Sequence, residues 1–317
     1  MLEVYVSRKI SEAAGVCSFE LLATNGAELP AFSAGAHVDV HVAPGITRQY
    51  SLCNAPHERG RYVIAVLDEP ASRGGSRSMH AHVSVGSVLS IGMPRNLFDL
   101  DLSGSRYVLF AGGIGITPIL AMAHTLIAAG KLFELHYCGR SIERLAFLGI
   151  LNEAPFADHL RIHVDNGPAE QRLNAARILA NPAAGDQLYV CGPSGFMSHI
   201  QSTAKAAGWC DRQINREDFS APPQVLEGDR PFEIELSRSG RVLEVPAQKT
   251  ALEVLLEHDV EVESSCEQGI CGACITRILA GEPDHRDQYM NALEHARNDS
   301  FTPCCSRSNS PRLVLDL

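Results

Sequence analysis

The stretch Cys266-Glu-Gln-Gly-Ile-Cys271-Gly-Ala-Cys274 lies in the last fifth of the chain, and Cys304 follows 30 residues after Cys274. This is the C-x4-C-x2-C…C spacing that holds a plant-type [2Fe–2S] cluster. Thiolates suit such a cluster because ferric iron and bridging sulfide require anionic, polarisable ligands. Gly269 and Gly272 allow the backbone to wrap tightly, so that amide N–H groups can point at the sulfurs. The stretch therefore predicts an iron–sulfur domain.

Two other interpretations of these cysteines are weaker. A structural zinc site usually pairs C-x2–4-C units on two separate knuckles, whereas three cysteines lie here within nine residues. Buried free thiols would leave that clustering unexplained. The identity of the fourth ligand stays open on spacing alone, because Cys305 directly follows Cys304.

Length and composition narrow the class of protein. The 317 residues suffice for two or three domains, each with its own core. A net charge of −10 argues against a general nucleic-acid binder, and it suits docking to a basic patch on a protein partner. The chain does not need disulfide stapling and shows no signal peptide, so its ten cysteines are expected in a reducing cytoplasm.

The longest apolar run, residues 107–130, has a length that suits a membrane span, but its composition argues against one. It contains Gly112, Gly113, Gly115, Pro118 and His124. Such a run is more typical of a buried strand, a glycine turn and a helix. No membrane segment is therefore expected.

Residues 1–102 are predicted to form an antiparallel barrel or sandwich. Val38, Val40 and Val42 alternate with polar residues, which is the period of a half-buried strand. Short runs of this kind recur between Gly, Pro and Asn, as expected for all-β architecture. The predicted strands are 16–23, 38–42, 50–53, 61–67 and 87–91.

Residues 103–222 show a different pattern. Tyr107-Val-Leu-Phe-Ala is a continuous apolar strand, and a glycine turn and a helical stretch at 118–129 follow it. Strands at 133–138, 160–164 and 188–191 alternate with helical stretches, which predicts a parallel, doubly wound sheet. A Pro- and Gly-containing linker at 223–231 then leads to the iron–sulfur domain at 232–317. This domain is predicted to contain two strands at 232–237 and 241–245, a helix at 251–258 and a last strand at 313–317.

A glycine turn directly follows the first strand of the parallel sheet. It reads Gly112-Gly113-Ile-Gly115-Ile-Thr117-Pro118, and glycines in this position let a dinucleotide's phosphates approach the backbone and the helix N-terminus. Many βα turns need glycine for packing only, so the turn gains weight from Cys191-Gly192-Pro193 at the end of a later strand. The carboxyl ends of parallel strands are where such sheets bind ligands.

The β-rich part contains a further candidate binding motif. Arg48-Gln-Tyr50-Ser51 and Gly74-Gly75-Ser76 combine a cation, hydroxyl groups and exposed amides that can hold a phosphate, and a tyrosine that can cover a flat ring. Taken alone, Arg-x-Tyr-Ser suits an ordinary strand with one polar face equally well.

Together these motifs resemble the phthalate dioxygenase reductase family, which includes the vanillate demethylase reductases. The resemblance covers essentially the whole chain. It implies a multidomain protein with an antiparallel FMN-binding β-barrel at 1–102, a doubly wound α/β NAD domain at 103–222 and a C-terminal β-grasp [2Fe–2S] ferredoxin domain. The resemblance also implies that the reductant is NADH. No residue decides between NADH and NADPH. On position alone, Arg140 and Ser141 could contact the 2′-phosphate of NADPH.

The resemblance also implies roles for individual residues. FMN contacts fall on Arg48, Tyr50 and Ser51, and the cradle of its phosphate on Gly74, Gly75 and Ser76. The NAD loop comprises Gly112, Gly113, Gly115, Thr117 and Pro118, with Cys191, Gly192 and Pro193 on the nicotinamide side. Ser51, Cys191 and Phe219 are expected at the reacting centre, where the Phe219 ring lies against the flavin. Cys304 becomes the fourth cluster ligand beside Cys266, Cys271 and Cys274.

The order of cofactors predicts an electron-transfer function. NADH releases two electrons as a hydride, a [2Fe–2S] cluster accepts one at a time, and a flavin converts between the two. The predicted partner is a terminal oxygenase with a Rieske non-haem iron centre, in aromatic hydroxylation or demethylation. Two other functions remain open: a direct NAD(P)H-dependent reductase of free flavin, ferric chelates or quinones, and a non-catalytic iron–sulfur binding or sensing protein.

Overall fold

The computed structural model describes residues 1–43, 46–69, 74–219 and 228–317. Its contacts divide the chain into two compact units, Met1–Phe219 and Ser220–Leu317. The segment 223–227 of the predicted linker lies outside the described residues. Among the described residues, no helix has the length and apolar character needed to cross a membrane.

The first sheet of unit 1 is antiparallel throughout, as the alternating pattern predicts. Val38 and Val40 are buried while Asp39 and His41 stay half-exposed, so the period-2 pattern places the apolar face on the core. The strand order is β4-β3-β6-β1-β2-β5, and β7 pairs with β3. These strands are β1 (Leu2–Ala13), β2 (Val16–Ala23), β3 (Ala36–Ala43), β4 (Ile46–Ser51), β5 (Tyr62–Leu67), β6 (Val88–Ile91) and β7 (Arg95–Asn96).

One helix, α1 (Gly75–His82), belongs to this part of unit 1. It starts at Gly74, whose φ of 95° is the left-handed conformation that glycine adopts without steric cost. Met79 anchors the helix in the same apolar core as β3.

The second sheet of unit 1 is fully parallel, with strand order β10-β9-β8-β11-β12. Tyr107 and Leu109 pack with one helical layer, whereas Val108 and Phe110 pack with the other, so helices cover both faces. The strands are β8 (Arg106–Gly112), β9 (Leu132–Gly139), β10 (Leu160–Val164), β11 (Asp186–Cys191) and β12 (Ile214–Glu217). The helices are α2 (Ile116–Ala128), α3 (Leu148–Glu153), α4 (Ala175–Ile178) and α5 (Ser194–Ala206).

The order of these strands positions the site. From β8 the chain adds β9 and β10 on one side, and it then returns to add β11 and β12 on the other side. The direction of the winding therefore reverses between β8 and β11, and the crevice at such a point is where doubly wound sheets bind ligands.

Unit 2 is a mixed sheet with strand order β14-β13-β19-β15-β17, in which β13 and β19 pair in parallel. A capping box formed by Thr250 and Glu253 starts its helix α6. Its strands are β13 (Phe232–Leu236), β14 (Val242–Val245), β15 (Thr276–Ala280), β17 (Ser300–Phe301) and β19 (Arg312–Leu315). A separate antiparallel pair consists of β16 (Pro283–Asp284) and β18 (Arg307–Ser308), and the helices are α6 (Ala251–Glu257) and α7 (Ala292–Arg297). The antiparallel sheet and the parallel sheet of unit 1 thus follow one another in the order that the sequence predicts.

Candidate functional site

The glycine turn after β8 lies directly against the end of β11. A Cβ on Gly115 would overlap the carbonyl group of Cys191 and would lie 2.7 Å from the Gly192 nitrogen. A Cβ on Gly112 would lie 2.8 Å from the ring of Phe196 and 3.0 Å from Pro193. These glycines therefore bring the two predicted nucleotide loops into contact at the crevice between β8 and β11.

Thr117 and Pro118 stabilise the start of α2. The Thr117 hydroxyl donates to the Ile114 carbonyl at 3.0 Å, and both Thr117 and Pro118 are buried. Proline suits the first turn of a helix because that turn needs no intrahelical N–H donor. Thr117 therefore uses its hydroxyl proton to shape the loop. Open space lies beside Gly113, where a Cβ would meet nothing within 4 Å, so a phosphate could approach the backbone there.

Cys191 is fully buried at the carboxyl end of β11, where it pairs in register with Glu217 at the end of β12. Burial raises the pKa of the Cys191 thiol, and the neighbouring Glu217 carboxylate raises it further. A neutral thiol next to the crevice forms a small, uncharged floor and not a nucleophile. This environment fits contact with a flat, uncharged ring better than covalent catalysis.

The structure adds Glu217, a residue that the sequence analysis does not single out. Burial, with a smaller effect from Asp218, raises the pKa of its carboxyl group from 4.5 to about 8. Its Oε2 atom is buried and has no hydrogen-bond partner among the described residues. A buried carboxyl group with a strongly raised pKa in a crevice is a candidate proton-holding group. Its signal in the sequence is an acid at the carboxyl end of a parallel strand.

Phe219 follows β12 by two residues and has 41% of its surface exposed. An exposed ring of this size near the ends of β11 and β12 offers a face to a planar ligand.

The segment around Arg140 and Ser141 follows β9, and there the Ser141 carbonyl accepts from the Arg144 amide.

The candidate phosphate cradle is built from β4 and the start of α1. A Cβ on Gly75 would overlap the side chain of Arg48 and would lie 2.8 Å from its Nε atom, so the guanidinium stem runs across the glycine. The Ser76 hydroxyl oxygen accepts from the Glu69 amide at 3.2 Å, which links the start of α1 to the residues after β5. A cation beside the positive end of a helix dipole is suited to a phosphate. Arg73, which precedes this cradle, lies outside the described residues.

Tyr50 and Ser51 lie on the same strand as Arg48. The Tyr50 hydroxyl is buried and has no hydrogen-bond partner among the described residues, and burial raises its pKa. A buried polar atom without a partner costs free energy unless a ligand or water satisfies it. Ser51 is buried at the end of β4, opposite His37. The unsatisfied hydroxyl, together with the Arg48 cradle, fits a bound flavin phosphate ester.

The cysteine loop orients its sulfurs with backbone amides. The Gln268 amide donates to Cys266 Sγ at 3.3 Å, and the Ala273 amide donates to Cys271 Sγ at 3.4 Å. The contact between the two thiols lowers the pKa of Cys266 and raises that of Cys271, whereas the loop amides lower the pKa of both and so favour the thiolates that bind iron. Gly269 and Gly272 have φ values of 73° and 70°, which confirms that the tight wrap uses left-handed glycines.

The structure separates the roles of the two adjacent cysteines. Cys304 Sγ lies 3.3 Å from Cys274 Sγ, whereas Cys305 Sγ lies 3.0 Å from Thr302 Oγ1. A Cβ on Gly269 would lie 2.5 Å from Cys305 Sγ, so this sulfur packs against the backbone of the cysteine loop. These contacts favour Cys304 over Cys305 as the neighbour of Cys274, and four thiols in the C-x4-C-x2-C…C arrangement are a donor set whose chemistry fits two iron ions and their bridging sulfides.

Comparison with known proteins places these features in one family. Residues 234–309 match the 2Fe-2S iron-sulfur cluster binding domain. The chain is 52% identical, over the full length of both proteins, to a vanillate O-demethylase oxidoreductase of Pseudomonas sp. (strain HR199 / DSM 7063). It is 38% identical to the phthalate dioxygenase reductase of Burkholderia cepacia, covering all of this chain and 97% of that protein.

A solved structure of phthalate dioxygenase reductase, described as a modular structure for electron transfer from pyridine nucleotides to [2Fe-2S], aligns with a TM-score of 0.78 at 38% identity. The alignment covers 100% of this chain and 98% of that structure. It supports the three-part fold class predicted from the sequence. The chain therefore belongs to the phthalate dioxygenase reductase family and is an oxidoreductase that moves electrons from NADH through FMN to a [2Fe–2S] cluster, as the electron-transfer component of an oxygenase system.

Proposed function

We propose that the electron acceptor is a Rieske-type non-haem iron oxygenase that hydroxylates or demethylates an aromatic compound in the cytoplasm. The observation that carries this proposal is the similarity to vanillate O-demethylase oxidoreductases at 52% identity over the full length. The potentials agree in direction, because plant-type clusters lie near about −400 mV and Rieske centres lie higher, at roughly −150 to +300 mV. Electron transfer to such a partner would run downhill.

The domains divide this work among them. In the proposal, residues 1–102 bind FMN, residues 103–222 bind NADH, residues 223–231 link the parts, and residues 232–317 hold the cluster. When bound, the flavin accepts a hydride and the cluster passes electrons on singly, so the chain supplies binding and orientation and needs no nucleophile.

The flavin is held by its phosphate in this proposal. The Arg48 guanidinium and the amides of Gly74 and Gly75 bind the phosphate, and Ser76 shapes the turn. Charge-assisted hydrogen bonds of this type contribute about 1.5–3 kcal/mol each. Tyr50 and Ser51 contact the flavin itself, and the exposed face of Phe219 stacks on its ring.

The nucleotide loops position NADH. The phosphates approach the turn at residues 112–118 beside Gly113, where a Cβ would meet nothing within 4 Å, while Gly112 and Gly115 allow the two loops to pack closely. Cys191, with its neutral thiol, Gly192 and Pro193 would hold the nicotinamide. Glu217 holds a proton at its Oε2 atom near neutral pH, which keeps this buried region uncharged.

The partner is tested by mixing the NADH-reduced holoprotein with the oxidised oxygenase component of a vanillate O-demethylase in a stopped-flow spectrometer. Reduction of the Rieske centre, followed by NADH-dependent demethylation on adding vanillate and oxygen, is the expected result. The Cys271→Ser variant serves as control, and it should bind NADH and FMN but fail to reduce the oxygenase. Full activity of Cys271→Ser with the oxygenase would instead favour direct reduction by the flavin, and failure of the wild type to reduce the Rieske centre would overturn the proposal.

A further inference from the structure

A pair of histidines and a buried aspartate lie close together in unit 2, outside the cysteine set. His285 follows β16, and its side chain is only 10% exposed. Both of its ring nitrogens are buried and have no hydrogen-bond partner among the described residues. Burying an imidazole whose two nitrogens make no hydrogen bond costs free energy. The buried position of His285 therefore indicates a bound partner at its ring nitrogens.

Asp287 presents one carboxylate oxygen to the two histidines. Its side chain is fully buried, and its Oδ2 atom accepts from the Met290 amide at 2.7 Å. Its Oδ1 atom lies 3.1 Å from His295 Nε2 and 3.9 Å from His285 Nδ1. The amide bond to Oδ2 fixes the carboxylate, as the supporting hydrogen bonds of metal-binding carboxylates do.

His295 completes the group from α7. A capping box formed by Asn291 and Glu294 starts this helix and sets its position, and the His295 side chain is 28% exposed. Its ring lies parallel to that of His285, with the centroids 4.3 Å apart and an interplanar angle of 18°. The ligand atoms of His285, Asp287 and His295 all lie within 4.8 Å of one another. The partial exposure of His295 gives solvent a route to the group.

Hydrogen bonds among the residues that the structure describes do not account for this arrangement. The hydrogen bond between His295 and Asp287 satisfies those two side chains, but the 3.9 Å separation from His285 is too long for a second one. The adjacent cation does not serve as the missing partner, because the Arg286 guanidinium binds Asp229 at 2.7 Å and Asp284 at 2.7 Å. A group that accepts electron pairs from two imidazoles and a carboxylate would satisfy the ring nitrogens of His285 that have no hydrogen-bond partner among the described residues.

We propose that His285, Asp287 and His295 bind one divalent transition-metal ion of the zinc class. Two imidazoles and one carboxylate form a common three-ligand set for such ions, with bonds of about 2.0–2.2 Å and a further position for water. Two ligand atoms on one tetrahedral ion are then about 3.3–3.6 Å apart. The Asp287 Oδ1 and His295 Nε2 atoms already lie 3.1 Å apart, whereas a pair separated by 4.8 Å must close by about 1.2 Å or more, and the partly exposed His295 ring is the one free to move.

The site would support the cluster loop. The Gln288 amide, one residue after Asp287, donates to the Gly269 carbonyl at 2.8 Å. A metal at Asp287 would therefore tie α7 and the segment after β16 to the backbone that carries the cysteine ligands. This role is separate from electron transfer, and it does not depend on the identity of the oxygenase.

The test uses tagless, anaerobically purified holoprotein with its cluster intact, treated with a chelator and then titrated with Zn²⁺ by isothermal titration calorimetry. One Zn²⁺ per chain should bind saturably, and elemental analysis should find it in addition to the cluster iron. The His295→Gln variant should weaken binding at least tenfold, as should His285→Gln. The matched control is His258→Gln, an exposed histidine of the same unit, which should bind as the wild type does.

Iron and acid-labile sulfide contents report whether each variant keeps its cluster. His295→Gln is decisive if His285→Gln fails to fold, because His295 is partly exposed. Absence of a saturable zinc equivalent in the wild type would overturn the proposal. Equal zinc affinity in His295→Gln and the wild type would overturn it as well.

Discussion

The backbone of Gly115 packs against the peptide that joins Cys191 to Gly192. A Cβ at position 115 would overlap the Cys191 carbonyl and lie 2.7 Å from the Gly192 nitrogen. The two loops at the ends of β8 and β11 therefore form one surface, and its shape depends on the absence of a single methyl group. Because both loops are predicted to contact NADH, damage to this packing should affect the nucleotide more than the cluster.

Gly115→Ala should reduce kcat/KM for NADH at least tenfold. The added methyl group forces the Cys191–Gly192 peptide away, because it is backbone and cannot rotate aside. Stopped-flow reduction of the flavin by NADH measures the effect. Gly149→Ala is the control, since a Cβ there meets nothing within 4 Å. Equal rates in Gly115→Ala and Gly149→Ala would contradict the proposed role of the loop.

Arg48→Ala should weaken FMN binding by at least tenfold. The change removes a charge-assisted hydrogen bond to the phosphate, and such a bond contributes about 1.5–3 kcal/mol, where 1.4 kcal/mol corresponds to a factor of ten. Fluorescence of released flavin gives the dissociation constant. Arg59→Ala, at an exposed arginine of the same unit, should leave it unchanged. Unaltered FMN affinity in Arg48→Ala would exclude this cradle as the phosphate site.

Cys304→Ser should lose the [2Fe–2S] cluster, whereas Cys305→Ser should keep it. The reason is that Cys304 Sγ lies beside Cys274 Sγ, while Cys305 Sγ contacts Thr302. Iron and acid-labile sulfide per chain, measured after anaerobic purification, distinguish the two variants. Retention of NADH-dependent ferricyanide reduction in Cys304→Ser shows that the rest of the protein is folded. A cluster that survives in Cys304→Ser and disappears in Cys305→Ser would reverse the assignment.

Glu217 should make stability depend on pH. Its pKa is raised from 4.5 to about 8 in the folded protein, so the folded state holds a proton that the unfolded state has lost between these values. The stabilising contribution is complete below about pH 4.5 and is lost as the pH rises to about 8. The thermal midpoint of the wild type should therefore fall relative to that of Glu217→Gln across this range.

Circular dichroism melts at several pH values measure this difference. Glu153→Gln is the control, because Glu153 is exposed at the end of α3, and its melts should follow the wild type. Parallel pH profiles for the wild type and Glu217→Gln would show that the carboxyl group titrates normally in the folded protein.

Strong local patterns made much of the fold predictable. The apolar run at 107–111 and the alternation at 38–42 correspond to β8 and β3, because both record burial directly in the residue types. β1 (Leu2–Ala13) carries no such run, since only Val4 and Val6 of its residues are buried. The helix α1 was also absent from the prediction, because its start depends on the left-handed Gly74 and not on apolar periodicity.

The candidate site was predictable where the chemistry requires fixed spacing. The cysteine loop is local, so the sequence alone predicts three of its ligands, and the choice of Cys304 over Cys305 stays a prediction that the three-dimensional contacts support. Glu217 could not be found in this way. Its raised pKa arises from burial beside the end of β11, which is a property of the folded sheet. The group of His285, Asp287 and His295 likewise forms only when α7 folds back.

The most direct test of electron flow is to add NADH to the anaerobic holoprotein and to record its visible and electron paramagnetic resonance spectra. The expected result is bleaching of the flavin together with the resonance of a reduced plant-type [2Fe–2S] cluster. Bleaching of the flavin while the cluster stays oxidised, in protein with full iron and sulfide content, would contradict an electron path from NADH through the flavin to the cluster.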